Sequence, residues 1–209
     1  KDNGMIYIRK SFTYPKYTQV GILVVALIYA SSSASAQSIV LLPDAAGKGA
    51  AVQSDPLYAS AAEEIITALK KGGFKVAQSE SIRPQYLPKR KRPSTKDWRR
   101  VFQRNGLNFE FLISLMVTRH IARSPINQSE IGIRAMLFEK NNGVRPIALV
   151  SVSPKTTSTT LHPRCFGPCL TEHYARHAKE PARLIGKKLV NALRQAATST
   201  FRLRPNRAN

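Results

Sequence analysis

The sequence predicts a mixed α/β fold, in which helices pack on one mixed sheet of five strands in the order β-α-β-α-β-β-β-α. Two observations predict it. Short apolar runs rich in β-branched residues alternate with segments whose apolar residues recur at helical spacing. The chain also has 209 residues, of which 43% are hydrophobic. That is enough for a single domain with a sizeable core.

The first half of the chain predicts a β-α-β unit. Residues 38–42 (SIVLL) are an apolar run typical of a buried strand. Ser54 or Asp55 can cap the following helix, and Gly72-Gly73 ends it. Residues 74–77 (FKVA) predict the second strand. The apolar stripe of the helix consists of Tyr58, Ala62, Ile65, Ile66 and Leu69.

A second helix and three further strands follow. Residues 79–96 are charged and contain three prolines, which predicts an exposed loop, and residues 96–104 predict a short helix. The strands are predicted at 109–117, 130–139 and 145–153. Asn141-Asn142-Gly143 favours a hairpin turn between the last two.

The last part of the chain predicts a loop, a helix and a tail. Residues 155–160 are rich in Thr and Ser, which is typical of a loop. Pro181 marks the start of the helix or a kink in it, and residues 198–209 predict a basic tail. The folded domain is therefore expected at 37–197. The apolar stripe of this helix consists of Ala182, Ile185, Leu189, Val190 and Leu193.

The beginning of the chain has the pattern of a secretory signal peptide. Basic residues precede an eleven-residue apolar run at 20–30, and small residues follow up to Ala34-Ser35-Ala36. We therefore expect residues 1–36 to be cleaved, and we expect residues 1–4 to be extraneous because the first methionine is Met5. The run is too short to cross a bilayer, which takes about 20 residues. The mature protein is expected to be periplasmic or secreted, with no transmembrane segment.

The chain has a formal net charge of +21, which points to acidic partners such as anionic lipid, acidic glycan or nucleic acid. Its densest cluster of cations spans residues 83–104, called the basic loop below, and we predict that this loop binds an anion or a partner. The alternative is a solvated loop without a ligand. Tyr86 and Trp98 interleave with the cations and are expected to stack on sugars or bases. The predicted binding residues are Arg83, Lys89, Arg90, Lys91, Arg92, Lys96, Trp98, Arg99, Arg100 and Arg104.

Two cysteines, Cys165 and Cys169, lie in the sequence CFGPC. An even count in an oxidising compartment favours a structural disulfide. The alternative is a zinc site, since two thiolates and two imidazoles suit that ion. A catalytic thiol-disulfide role would prefer a C-x-x-C spacing, whereas three residues separate these cysteines. We predict no cofactor. The candidate zinc ligands are His162, Cys165, Cys169, His173 and His177.

The element order and several short motifs resemble a known family. The motifs are residues 39–49, Gly72-Gly73-Phe74, Asp97-Trp98-Arg99 and the strand at 109–117. Together they resemble the periplasmic α/β domain at the N-terminus of TolB and, more distantly, CsgG-like and LpoB-like envelope proteins. Such domains act mainly as non-enzymatic adaptors. The resemblance therefore implies a binding role and transfers no catalytic residue.

The expected function is that of an exported periplasmic protein that is not an enzyme. It would contact envelope proteins, or an anionic lipid or glycan surface, through the basic loop. Two alternatives stay open. The first is a secreted nucleic-acid-binding protein, and the second is a metal- or redox-dependent protein that uses the Cys/His cluster.

Overall fold

The computed structural model describes residues 37–78, 82, 92–103, 108–122, 128–140 and 145–202. The predicted signal peptide, residues 83–91 and 104 of the basic loop, and the turn at 141–143 lie outside these residues. The strands are β1 (Ser38–Pro43), β2 (Lys75–Gln78), β3 (Phe111–Ala122), β4 (Gln128–Glu139), β5 (Ala148–Val152) and β6 (Thr159–Thr160). The helices are α1 (Pro56–Lys71), α2 (Thr95–Gln103), α3 (Pro168–His177) and α4 (Lys179–Arg202), with a 3-10 turn at Pro154–Thr157.

The strands form one mixed sheet in the order β2-β1-β3-β4-β5, with β6 paired to β4. Strand β1 runs parallel to both of its neighbours, β2 and β3, whereas β4 runs antiparallel to β3 and to β5. This architecture confirms the predicted α/β class with a mixed sheet. The register is fixed along the long β3–β4 pair, where Phe111 lies opposite Glu139 and Ala122 opposite Gln128.

Two features differ from the predicted element order. The segment at 155–160, predicted as a loop, contains β6, whose Thr159 pairs with Ser129 of β4. The predicted last helix is two helices that meet at Ala178. Pro181 explains the break, because it has no N–H to donate to the carbonyl of His177 four residues earlier. Helix α4 continues to Arg202, five residues into the predicted tail.

The core has two layers, one on each face of the sheet. Successive residues of a strand point to opposite faces, and β1 is buried on both. Its Ile39 and Leu41 belong to the main cluster, under α1, α3 and α4, whereas Val40 and Leu42 belong to a smaller cluster under α2. A short, continuously apolar strand is what such double burial requires. Helices α2 and α4 therefore lie on opposite faces of the sheet.

Helices α1 and α4 approach each other closely because two glycines lie between them. A Cβ built on Gly186 would lie 2.6 Å from the Cβ of Ala68. A Cβ on Gly72 would lie 2.9 Å from Val190 Cγ2. Neither distance leaves room for a methyl group, since carbon atoms in contact are normally about 3.5–4.0 Å apart. The absence of both side chains thus sets the spacing of the two helices.

Candidate functional site

Helix α2 carries most of the basic loop that the structure describes, and a local cap fixes the start of this helix. The Ser94 N–H and hydroxyl both donate to Asp97 Oδ2, at 2.9 and 2.7 Å. The Asp97 N–H donates in return to Ser94 Oγ at 3.3 Å. This reciprocal pattern is a capping box, which satisfies N–H groups that the first turn of a helix leaves unpaired.

A buried polar junction ties α2 to the sheet. Asp44, which follows β1, is 4% exposed, and its Oδ2 accepts from the Thr95 hydroxyl at 2.5 Å. Thr95 Oγ1 also lies 2.7 Å from Ser114 Oγ. Because the Thr95 proton goes to the carboxylate, Ser114 is the donor in that second bond. The junction satisfies a carboxylate that burial would otherwise penalise.

Trp98 does not offer a stacking surface, and this part of the prediction is wrong. Its side chain is 2% exposed and packs with Val40, Leu42 and Phe102 in the smaller core cluster. Its indole N–H donates to the carbonyl oxygen of Pro43 at 2.7 Å. Trp98 and Phe102 are four residues apart and hence share one face of α2, so the apolar face of a mostly charged helix turns to the sheet.

The described cations of the basic loop have three different placements. Lys96 and Arg100 are exposed on α2. Arg99 leans over the ring of Phe138, with its guanidinium carbon 5.5 Å from the ring centroid. Arg92 donates from Nη2 to the Ala50 carbonyl at 2.7 Å. The remaining predicted residues, namely Arg83, Lys89, Arg90, Lys91 and Arg104, lie outside the described part of the chain.

The sulfur atoms of Cys165 and Cys169 are joined in a disulfide, with 5.3 Å between the Cα atoms. Bonded to each other, they are not thiolate ligands for a metal. Within the described ranges, no three His, Cys, Asp or Glu side chains are placed to hold a metal ion. His162 lies exposed, and its Nδ1 accepts from the Arg164 N–H at 3.2 Å.

The other two histidines of the candidate cluster have structural contacts. His173 Nε2 lies 2.6 Å from Ser129 Oγ and 3.2 Å from Thr159 Oγ1, which links α3 to β4 and β6. The ring of His177 is 4.3 Å from that of His173 between centroids. Burial lowers the pKa of His173, and the charges of His177 and Arg176 lower it further. The neutral imidazole is therefore favoured at this position.

A basic cleft between α1 and α4 was not predicted from the sequence. It has a volume of about 490 Å³. Arg183 crosses it from α4 to Glu64 of α1 with two hydrogen bonds, from Nε to Oε2 at 3.0 Å and from Nη2 to Oε1 at 3.3 Å. The cleft is lined by Glu64, Thr67, Ala68, Lys71, Gly72, Arg183, Lys187, Val190, Asn191 and Arg194.

One signal in the sequence could have indicated this cleft. Arg183, Lys187 and Arg194 recur at a spacing of four and seven residues, which places cations along one stripe of α4. This stripe lies beside the predicted apolar stripe of the same helix. The cleft forms only because α1, more than 100 residues away in the chain, packs beside α4. The sequence alone therefore does not show the site.

No family model and no curated protein matches this chain. Solved structures with a similar fold include a PelC dodecamer from Paraburkholderia phytofirmans, 12% identical, which covers 73% of this chain and 87% of that one at a TM-score of 0.40. Another is lipoprotein GNA1162 from Neisseria meningitidis, also 12% identical, with 78% and 99% covered and a TM-score of 0.40. The hypothetical protein CT253 from Chlamydia trachomatis, 12% identical, has 78% and 96% covered and a TM-score of 0.37.

These likenesses have TM-scores below 0.5, so they assign neither family nor function. The resemblance to the TolB-type domain accordingly stays an expectation. Among the helices of the described residues, none combines the length and the apolar character that a membrane crossing needs.

Proposed function

We propose that this protein is an exported, non-enzymatic binding protein of the bacterial cell envelope. Its partner is an anionic surface of the envelope, which it contacts through the basic loop, including the exposed cations of α2. The observation that carries the proposal is the two-sided character of α2. Trp98 and Phe102 are buried against the sheet, whereas Lys96 and Arg100 are exposed.

The charge balance supports an anionic partner. The chain has 33 Lys and Arg residues against 12 Asp and Glu residues. Such an excess attracts polyanions and destabilises the compact protein by self-repulsion when no counter-charge is present. On α2 the buried side chains of Trp98 and Phe102 and the capping box fix the orientation of the helix. The exposed cations therefore lie on the opposite face, where a flat anionic surface can contact them.

The disulfide argues against the redox or metal alternative. The sulfur atoms of Cys165 and Cys169 are used in a bond that closes a short loop, which suits an oxidising compartment. His173 bonds Ser129 and Thr159, and this contact joins structural elements. The Cys/His cluster is therefore proposed to be structural.

The test is binding to vesicles that contain phosphatidylglycerol. The double variant Lys96→Gln/Arg100→Gln should bind about 30-fold more weakly, because each cation near an anionic membrane contributes about 1 kcal/mol. Binding of the unaltered protein should weaken as salt rises. The matched control is Arg145→Gln/Lys188→Gln, which removes the same charge from two exposed positions outside α2.

Equal weakening in both double variants would contradict the proposal, because it would mean that net charge alone drives binding. Neutral phosphatidylcholine vesicles should not bind the protein. If a low concentration of duplex DNA displaces the protein from the vesicles, and if DNA binding weakens steeply as salt rises, the nucleic-acid alternative is favoured instead.

A further inference from the structure

We propose that the cleft between α1 and α4 is a second binding site, distinct from the α2 surface, for a small amphipathic anion. The ligand has a phosphate or carboxylate head group and a short alkyl body. Lys71, Lys187 and Arg194 contact the head group. The alkyl body lies on the floor formed by Ala68 and Val190.

The shape of the cleft follows from the glycines beneath it. Because Gly186 and Gly72 bring α4 close to Ala68 and α1 close to Val190, the bottom of the cleft is made of small apolar groups. Longer polar side chains of both helices also line the cleft. The result is a depression of about 490 Å³, which falls in the usual range of about 300–1,000 Å³ for small-molecule sites.

The charge of the cleft is unbalanced. Glu64 is the one acidic residue among its lining residues, and Arg183 already engages that carboxylate from two nitrogen atoms. The hydrogen bond from Arg183 holds the pKa of Glu64 below its usual range, so this pair stays ionised and neutral overall. Within the described ranges, Lys71, Lys187 and Arg194 have no carboxylate within ion-pair distance.

These features define the ligand class. Unpaired cations around one small cleft repel each other, and an anionic head group relieves this repulsion. The Thr67 hydroxyl and the Asn191 amide add hydrogen-bond donors to the lining. No aromatic ring lines the cleft, so it lacks the stacking platform on which single-stranded nucleic acid depends. An alkyl chain needs only the apolar floor that is present.

The test is calorimetric titration of the purified full chain with octyl phosphate, below the concentration at which it forms micelles. Saturable binding of one molecule per chain is expected. Octyl glucoside, which is neutral, and inorganic phosphate, which lacks the alkyl body, should each bind at least about tenfold more weakly, a difference of about 1.4 kcal/mol.

Two variants locate the site. Lys187→Gln/Arg194→Gln should weaken octyl phosphate binding about tenfold or more, whereas Lys188→Gln changes the neighbouring cation of α4, which does not line the cleft, and should leave it unchanged. Thr67→Trp keeps every charge but fills the cleft, and it should abolish binding. Circular dichroism verifies that each variant is folded.

The proposal is overturned if Lys187→Gln/Arg194→Gln and Lys188→Gln behave alike, or if Thr67→Trp still binds octyl phosphate. It is also overturned if octyl glucoside or inorganic phosphate binds as tightly as octyl phosphate. The α2 variant Lys96→Gln/Arg100→Gln should retain octyl phosphate binding, so failure of the α2 proposal and failure of this one give different results.

Discussion

Replacement of Gly186 by alanine tests the packing that shapes the cleft. The new Cβ would lie 2.6 Å from the Cβ of Ala68, so α4 must move away from α1 by about 1 Å to reach normal carbon contact. Overpacking of this kind costs about 1–3 kcal/mol. Against it stands the better helix propensity of alanine, about 1 kcal/mol. We therefore expect Gly186→Ala to lower the free energy of unfolding by about 1 kcal/mol, or about 3 °C in Tm.

Ala68 of α1 tests the same contact from the opposite helix. Ala68→Gly removes the methyl group that the new Cβ would meet, so Ala68→Gly/Gly186→Ala exchanges the two residues and should regain a stability close to that of the unaltered protein. Urea unfolding of the four proteins gives the coupling energy between the positions. A Gly186→Ala protein that is about 1 kcal/mol more stable than the unaltered one, as propensity alone requires, would refute the close approach of the helices.

Three further outcomes are expected from the described contacts. Trp98→Phe removes the N–H that reaches the Pro43 carbonyl, and the buried acceptor left unpaired should cost about 1–3 kcal/mol in urea unfolding followed by circular dichroism. Asp55→Ala removes the cap of α1 and should cost about 1 kcal/mol, whereas Ser54→Ala, at the exposed neighbouring position, should change stability by less than about 0.5 kcal/mol. Because burial lowers the pKa of His173 from 6.5, the unfolded chain binds more protons than the folded one just below that pH. Tm should therefore fall as the pH decreases below about 6.5, and His173→Gln should flatten this dependence; an unchanged slope would contradict the assignment.

The parts of the fold that were predicted correctly depend on signals within a few residues of each other. The apolar run at 38–42 is β1, the cap at Asp55 precedes α1, and Gly72 ends it. All members of the predicted apolar stripe of α1 are buried. An N-cap residue, a glycine that ends a helix and an apolar period of 3.6 residues are all local features. They can therefore be recognised from the sequence alone. For the same reason the bounds of β2 and α2 shifted by only one residue.

Two kinds of feature were not predicted correctly. Some depend on tertiary contacts, and in one case the charges near a residue were given more importance than its helical spacing. Strand β6 has two residues, too few for a period, and exists because β4 extends past β5 to pair with it. Trp98 was assigned to the surface because of the cations around it, although its spacing of four from Phe102 already indicated a buried stripe. Within the described ranges, the basic cleft forms where two helices distant in the chain meet.

The two proposed sites can be separated because they lie on opposite faces of the sheet. Helix α2 covers the smaller core cluster and α4 the main one, so a flat membrane that meets Lys96 and Arg100 faces away from the cleft. Thr67→Trp leaves every charge in place. The Thr67→Trp protein should bind phosphatidylglycerol vesicles as tightly as the unaltered protein does, but it should no longer bind octyl phosphate. Lys96→Gln/Arg100→Gln should show the reverse. If Thr67→Trp also loses vesicle binding, then the cleft itself meets the membrane, and the assignment of the envelope contact to α2 is wrong.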